Sequence, residues 1–147
     1  MKRALDQAQQ AREFDEVPVG AIIVKEQRII AAAHNQTRRL CDPTAHAEMI
    51  AITQAAESIG DWRLEHCTMY VTLEPCTMCA GAIINSRIPT VVIGAMDPKA
   101  GAAGSVFQVL QEPRLNHRCE TVHGVNQSEC GRILTEFFQS KRKLKKK

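Results

Sequence analysis

The residues best equipped for chemistry lie in two short stretches, His46-Ala47-Glu48 and Pro75-Cys76-Thr77-Met78-Cys79, about thirty positions apart. An imidazole and two thiolates give three ligands that suit tetrahedral zinc and leave a fourth position for water. A structural zinc site usually closes with four protein ligands, and no fourth Cys or His lies within four positions of either half. The open position is what a catalytic zinc needs, because it brings a water to a pKa of roughly 7. Glu48 adds a carboxylate beside that water. Singly, each piece is ordinary: Cys76-x-x-Cys79 reads equally as a redox pair, His46 as a satisfied buried histidine, and Glu48 as a solvated helix residue. Their joint occurrence, with Pro75 ahead of the first cysteine, favours zinc.

The spacing constrains the elements that must hold these side chains. Residues at i and i+2 do not share a helix face, so His46 and Glu48 converge only in a first helical turn. Asp42-Pro43-Thr44 fits such a start, with Asp42 or Thr44 as cap and Pro tolerated early. Pro75 opens the second half in the same way, and Cys76 and Cys79, at i and i+3, share a face. Two helix N-termini are therefore expected to meet at the metal, where their positive dipole ends favour thiolate over thiol.

Along the chain, Met1, Ala4, Leu5, Ala8 and Ala11 recur at helical spacing, so residues 2–14 read as an amphipathic helix. Val17 to Val24 reads as a buried strand with Pro18 near its start. Lys25 to Arg28 form a polar turn without an Asn-Gly signal, and Ile29 to Ala33 return as a second strand. After the polar loop 34–39, a helix runs from about Ala45 to Ile59 and stops at Gly60. Thr68–Leu73 is a strand that delivers the cysteines, and the helix after it carries Ile83 and Ile84. Thr90–Gly94 is a fourth strand, followed by the small-residue loop 97–105. Arg118–Val122 is a short fifth strand, and Ser128 to about Lys143 is a closing helix. Strands alternating with helices indicate a layered α/β domain with helices on both faces of the sheet, and a site where strand ends meet helix N-termini.

A length of 147 residues, 44% apolar and 24% charged, fits one domain over 1–147 with its own core. No apolar run reaches membrane-spanning length, and the N-terminus lacks the apolar stretch of a signal peptide, so a cytoplasmic enzyme is the default. Cys41, Cys67, Cys119 and Cys130 show no framework spacing and read as small buried hydrophobes in a reducing compartment. The net charge of +3 hides an asymmetry. Residues 141–147 hold six of the 19 basic residues, leaving 13 against 16 acidic ones, a balance of −3 for the body. Such a basic tail suits a polyanionic partner, or is a solvated end.

Further stretches make the chain recognisable. Glu16-Val17-Pro18-Val19-Gly20-Ala21, His34-Asn35, Asp42-Pro43-Thr44-Ala45-His46-Ala47-Glu48, Glu74-Pro75-Cys76-Thr77-Met78-Cys79-Ala80-Gly81-Ala82-Ile83 and Lys99 to Ser105 together resemble the bacterial tRNA-specific adenosine deaminases. The metal motif alone is common to zinc-dependent nucleobase deaminases. The Asp-Pro-Thr-Ala-His-Ala-Glu stretch and the Gly-Ala-Ala-Gly-Ser loop are more selective. The resemblance implies a three-layer α/β/α cytidine deaminase-like fold around a central mixed five-stranded sheet. It also implies a homodimer that converts adenosine to inosine at the wobble position of a tRNA anticodon stem-loop. Carried over by position, His46, Cys76 and Cys79 bind one zinc and Glu48 shuttles protons. Asn35 hydrogen-bonds the target purine, Asp97 contacts a neighbouring ribose, and the helix with Phe137 and Phe138 touches the anticodon loop. Read without the family, Asn35 and Asp97-Pro98 are also plain turn residues, and paired phenylalanines on a closing helix are usually core. Val17, Val19 and Ile22 read as core rather than substrate wall.

For catalysis, backbone N–H groups near Ala47 and Cys76 are placed to steady a developing oxyanion. Two rival functions remain at this stage. A free-base or nucleoside deaminase has the same metal motif but no use for the basic tail or for Arg38-Arg39. A non-catalytic zinc module has no use for Glu48.

Overall fold

A computed structural model describes all 147 residues of the chain. The elements run α1 (Lys2–Glu13), β1 (Gly20–Lys25), β2 (Arg28–His34), α2 (Ala47–Ile59), β3 (Cys67–Leu73), α3 (Thr77–Asn85), β4 (Thr90–Ala95), β5 (Glu120–Val122) and α4 (Gln127–Lys145). The strands form one mixed sheet in the order β2-β1-β3-β4-β5. β1 is antiparallel to both β2 and β3, whereas β3, β4 and β5 run parallel. α1 and α4 pack together on one face, and α2 and α3 on the other. No helix is long and apolar enough to cross a membrane.

The sheet order explains the strand sequences. β1 lies inside the sheet with α1 on one face and α2 on the other, so Ala21, Ile22 and Ile23 are all buried and no polar–apolar alternation survives, whereas β3 keeps one, with Cys67, Met69 and Val71 buried and Thr68 and Tyr70 half-buried. The edge strand β2 does alternate, with Ala31 and Ala33 buried and Ala32 exposed. The hairpin between β1 and β2 turns at Glu26 and Gln27, both at positive φ (50° and 63°). That is the φ pattern of a type I′ turn, which usually selects Asn and Gly. Here the flanking ladder holds it without either.

Several expected boundaries shift. Val17–Val19 is not strand: the Val19 N–H donates to the Val17 carbonyl across Pro18, a tight turn, and the ladder starts at Gly20. α2 begins at Ala47, not Ala45, because His46 is extended (φ −78°, ψ 152°). It ends as read, with Gly60 left-handed at φ 78°. β5 is shorter than Arg118–Val122, and α4 runs from Gln127 to Lys145, so much of the basic tail is helical. Cys67, Cys119 and Cys130 are buried as expected. Cys41 is exposed, on a turn with φ 50° whose N–H and Sγ both reach the Arg38 carbonyl, away from the core.

α1 lies directly on β1. It turns a face of alanines inward (Ala4, Ala8 and Ala11, all fully buried), and Gly20 meets that face. A Cβ at Gly20 would stand 2.0 Å from the Ala4 carbonyl oxygen and 2.6 Å from the Ala8 nitrogen. Both are backbone atoms that cannot step aside. Gly20→Ala is therefore expected to cost at least about 2 kcal/mol through forced separation of helix and strand. Urea unfolding should show this as a lower midpoint with an unchanged slope.

Candidate metal centre and substrate cavity

β2, β3 and β4 end, and β1 begins, at the same rim of the sheet, and the candidate site lies there. His46 is the N-cap of α2, Cys76 the N-cap of α3, and Cys79 sits three residues into α3. Neither N-cap side chain caps its own helix, so their ligand atoms remain free to converge. His46 Nδ1 lies 3.6 Å from Cys76 Sγ and 3.5 Å from Cys79 Sγ, and the three ligand atoms lie within 4.8 Å of one another. A tetrahedral ion bonded at ordinary zinc–nitrogen and zinc–sulfur lengths would set that N–S edge at about 3.6 Å. The donor set fits such an ion.

The electrostatics follow from the crowding. The hydrogen bond from Cys79, followed by that from His46, holds the Cys76 thiol down at about 3 despite burial. The same bond, then burial and the Glu48 charge, push Cys79 well above the usual thiol range. The bond to Cys76 raises His46 against the effect of burial. Glu48, the second residue of α2, is 3% exposed, and burial raises its pKa. Its Oε2 accepts from Cys79 Sγ at 3.5 Å.

The cap expected from Asp42 or Thr44 comes from elsewhere. Asp42 Oδ1 accepts from the N–H and the hydroxyl of Thr44, closing a local turn. The Ala47 N–H donates instead to Asn35 Oδ1 at 2.8 Å. Asn35 therefore caps α2 from the end of β2, while its Nδ2 bonds to no protein group. The Ala47 N–H is thereby occupied, leaving Cys76 as the remaining backbone donor of the expected pair.

Asn35, His46, Glu48, Cys76 and Asp97 line a cavity of about 250 Å³, walled by Val17 and Val19. Val19 is both core and wall, and the tight turn across Pro18 puts Val17 at the cavity as well. Asp97 is a turn residue and a cavity residue at once. Its Oδ1 accepts from the Lys99 and Ala100 N–H groups. Val17, Leu73 and Asp97 are shared with a larger groove of about 720 Å³, bordered by Phe138, Lys141, Arg142 and Lys145 of α4 and by Lys99. Of the paired phenylalanines, Phe138 is exposed on this groove, and Phe137 is buried with its ring edge-on to Phe138 at 5.4 Å.

Two residues that matter to the site escaped the sequence reading. Glu74 and Glu16 are 2% and 1% exposed. Glu74 accepts from the N–H groups of Asp97, Ala103 and Ser105 at 2.9–3.0 Å and from the Ser105 hydroxyl at 2.5 Å. Burial would raise its pKa, but those bonds prevail and lower it. Gly101 leaves room for this carboxylate, since a Cβ there would stand 2.3 Å from it. Glu16 accepts from the Thr37 hydroxyl and from the N–H groups of Arg38 and Arg39. Each glutamate holds one of the loops that shape the cavity. The signal available was a carboxylate set against Val-Pro-Val-Gly in one stretch and Pro-Cys in the other.

Comparison with known proteins agrees with this geometry. The model of the MafB19-like deaminase family matches residues 1–142. The tRNA-specific adenosine deaminase of Bacillus subtilis is 51% identical, over 99% of this chain and 91% of that protein. That of Aquifex aeolicus is 50% identical, over 97% of this chain and 93% of that protein. A solved structure from work on A-to-I editing by tRNA:A34 deaminases at the wobble position of transfer RNA superposes with a TM-score of 0.88 at 46% identity. It covers 91% of this chain and 97% of its own. With that identity over nearly its whole length and the cytidine deaminase-like fold, the chain belongs to the family of tRNA-specific adenosine deaminases.

Proposed function

We propose that the chain is a zinc-dependent hydrolase that converts adenosine to inosine at the wobble position of a tRNA anticodon, acting as a homodimer in the cytoplasm. One observation carries the reading. A buried carboxylate, Glu48, lies beside a three-ligand cluster in a small cavity that opens into a groove with a basic rim. His46, Cys76 and Cys79 would hold the zinc, whose Lewis acidity lets water act as a nucleophile at neutral pH. Glu48 takes one proton from the attacking water and delivers it to the purine ring nitrogen; it then takes the second, from the hydroxyl added at C6, and gives it to the amine, which departs as ammonia while the C6 carbonyl forms. Its raised pKa suits a group that must both accept and donate a proton near neutrality.

The remaining residues bind and orient. Asn35, with Oδ1 committed to α2, offers Nδ2 to an acceptor on the purine edge. Asp97 faces the boundary between cavity and groove, where the neighbouring ribose would lie. Phe138 and the cations of α4 face the groove, which suits unpaired bases and their phosphates. An anticodon loop lowers the cost of withdrawing the target base, because that base is already unpaired. The proposal is tested by incubating the zinc-loaded chain with arginine-type anticodon stem-loops, and in parallel with free adenosine, cytidine and guanine. Inosine in RNA, without comparable turnover of the free compounds, is the expected result.

Three variants separate the roles. Cys76→Ala should lose its zinc by elemental analysis and melt earlier, since metal binding contributes to folding. Zinc uptake by the metal-free wild type should release protons, because Cys79 is held protonated and the pKa of His46 is raised, so apparent affinity should fall as pH is lowered. Glu48→Ala should keep zinc and RNA affinity but lose roughly 10²–10⁴-fold in deamination rate. Asn35→Asp keeps the acceptor that caps α2 and removes the free donor. It should retain zinc and lose roughly 10–100-fold in kcat/KM, the equivalent of one buried hydrogen bond.

A further inference from the structure

Outside the cavity, the turn after α1 carries a cluster of which the proposed function uses only Lys141, as one of the groove cations. Asp15, left-handed at φ 61°, places its carboxylate between two cations from distant parts of the chain: Arg38 Nη1 at 2.5 Å, and Lys141 Nζ of α4. Beside it, Phe14 is 53% exposed. Its ring stacks on His34, with centroids 6.0 Å apart and planes 13° apart, and the Arg39 guanidinium sits 4.8 Å from its centroid. The cluster adjoins the substrate path at both ends. Thr37 and Asn35 line the cavity, and Lys141 lines the groove.

We propose that Arg38, Lys141 and the Phe14–Arg39 stack form a nucleotide subsite for single-stranded RNA next to the target base, and that Asp15 occupies the phosphate's position in the free protein. The proposal rests on the functional reading above and specifies part of how RNA is held. Three features support it. Asp15 and Arg38 are solvent-exposed and Lys141 is half-buried, so the ion pairs contribute little to stability and both cations can exchange a carboxylate for a phosphodiester. Glu16 accepts from the N–H groups of Arg38 and Arg39, which fixes the backbone of both arginines before any ligand arrives. An exposed aromatic ring layered with a guanidinium offers a base a stacking surface without sequence preference, directly beside the charge that takes its phosphate.

The test is an equilibrium titration of the zinc-loaded full chain with a labelled anticodon stem-loop bearing inosine at the target position, which cannot be turned over, at several salt concentrations. Asp15→Asn should tighten binding about 3- to 10-fold at low salt. It should also steepen the plot of log K against log salt by about 0.7, the contribution of one more neutralised phosphate in a single strand. Asp6→Asn, which removes an equal charge from the exposed side of α1, should do less. In an Arg38→Gln/Lys141→Gln background the Asp15 effect should vanish. Phe14→Leu should weaken binding about 5-fold or more with the salt slope unchanged. Far-UV circular dichroism checks each fold, and Asp15→Ser and Phe14→Met serve where a first variant melts early.

Three results would overturn the subsite: tightening no greater than that of Asp6→Asn, tightening that persists without the two cations, or a Phe14 variant with wild-type affinity. Conversion of an adenosine-bearing stem-loop is followed alongside. A wild type that makes no inosine overturns the functional reading itself, whereas inosine without the Asp15 coupling overturns only the subsite.

Discussion

A helix N-cap can serve its own helix or a ligand, but one side chain does not do both. His46 and Cys76 occupy the N-caps of α2 and α3 and turn their ligand atoms away from the helices they begin. The first N–H groups of a helix still need acceptors, and the surrounding structure is arranged to supply them. Asn35 reaches across from the end of β2 to take the Ala47 N–H. Once it does so, its orientation is fixed and its amide nitrogen is left for the cavity. The convergence of His46 on the two cysteines thus leaves the cap to Asn35, and the cap sets the pose of that side chain in the cavity.

The same requirement governs the loops. Segments 37–41 and 97–105 have no partner strand, yet their backbone N–H groups lie where water is partly excluded. Buried carboxylates perform the task that a sheet neighbour performs elsewhere, Glu16 for the first loop and Glu74 for the second. A buried anion is costly unless it is hydrogen-bonded, and here the anion and the orphan donors satisfy one another. Neither glutamate needs a cation, and the loop cations remain directed outward.

How much of this was legible in the sequence depended on whether the signal was local. The convergence of His46, Cys76 and Cys79, the helices and the inner strands were readable because ligand spacing and apolar periodicity are local properties. Turn geometry was less so: Val17–Val19 continues the apolar run of β1, and only the Val19–Val17 hydrogen bond across Pro18 separates them. Whether Phe137 or Phe138 faces the groove depends on how α4 lies against β3 and β4, which adjacent positions on one helix do not reveal. Glu16 and Glu74 were invisible for a plainer reason. Their donors lie 21 to 31 residues away, and the apolar residues beside each glutamate hint at burial without showing which groups its carboxylate will accept from. The basic tail was read as a site for a polyanion or a solvated end, with the helix stopping near Lys143; the helix runs on to Lys145 and carries Lys141, Arg142 and Lys145 to the groove.

The pairing of α1 with α4 has a consequence for how the molecule can be joined to others. The Met1 amino group lies near Cys130, Arg12 bonds Glu136, and Asp15 bonds Lys141, so the two helices run side by side in the same direction. Their beginnings share one pole of the molecule, and their ends share the other, at the mouth of the groove. A tether attached before Met1 would leave from the pole opposite the substrate path, while one attached after Lys147 would leave beside it. The N-terminal side is thus the point of attachment that leaves the groove unobstructed. Cargo on the C-terminal side would stand at its mouth.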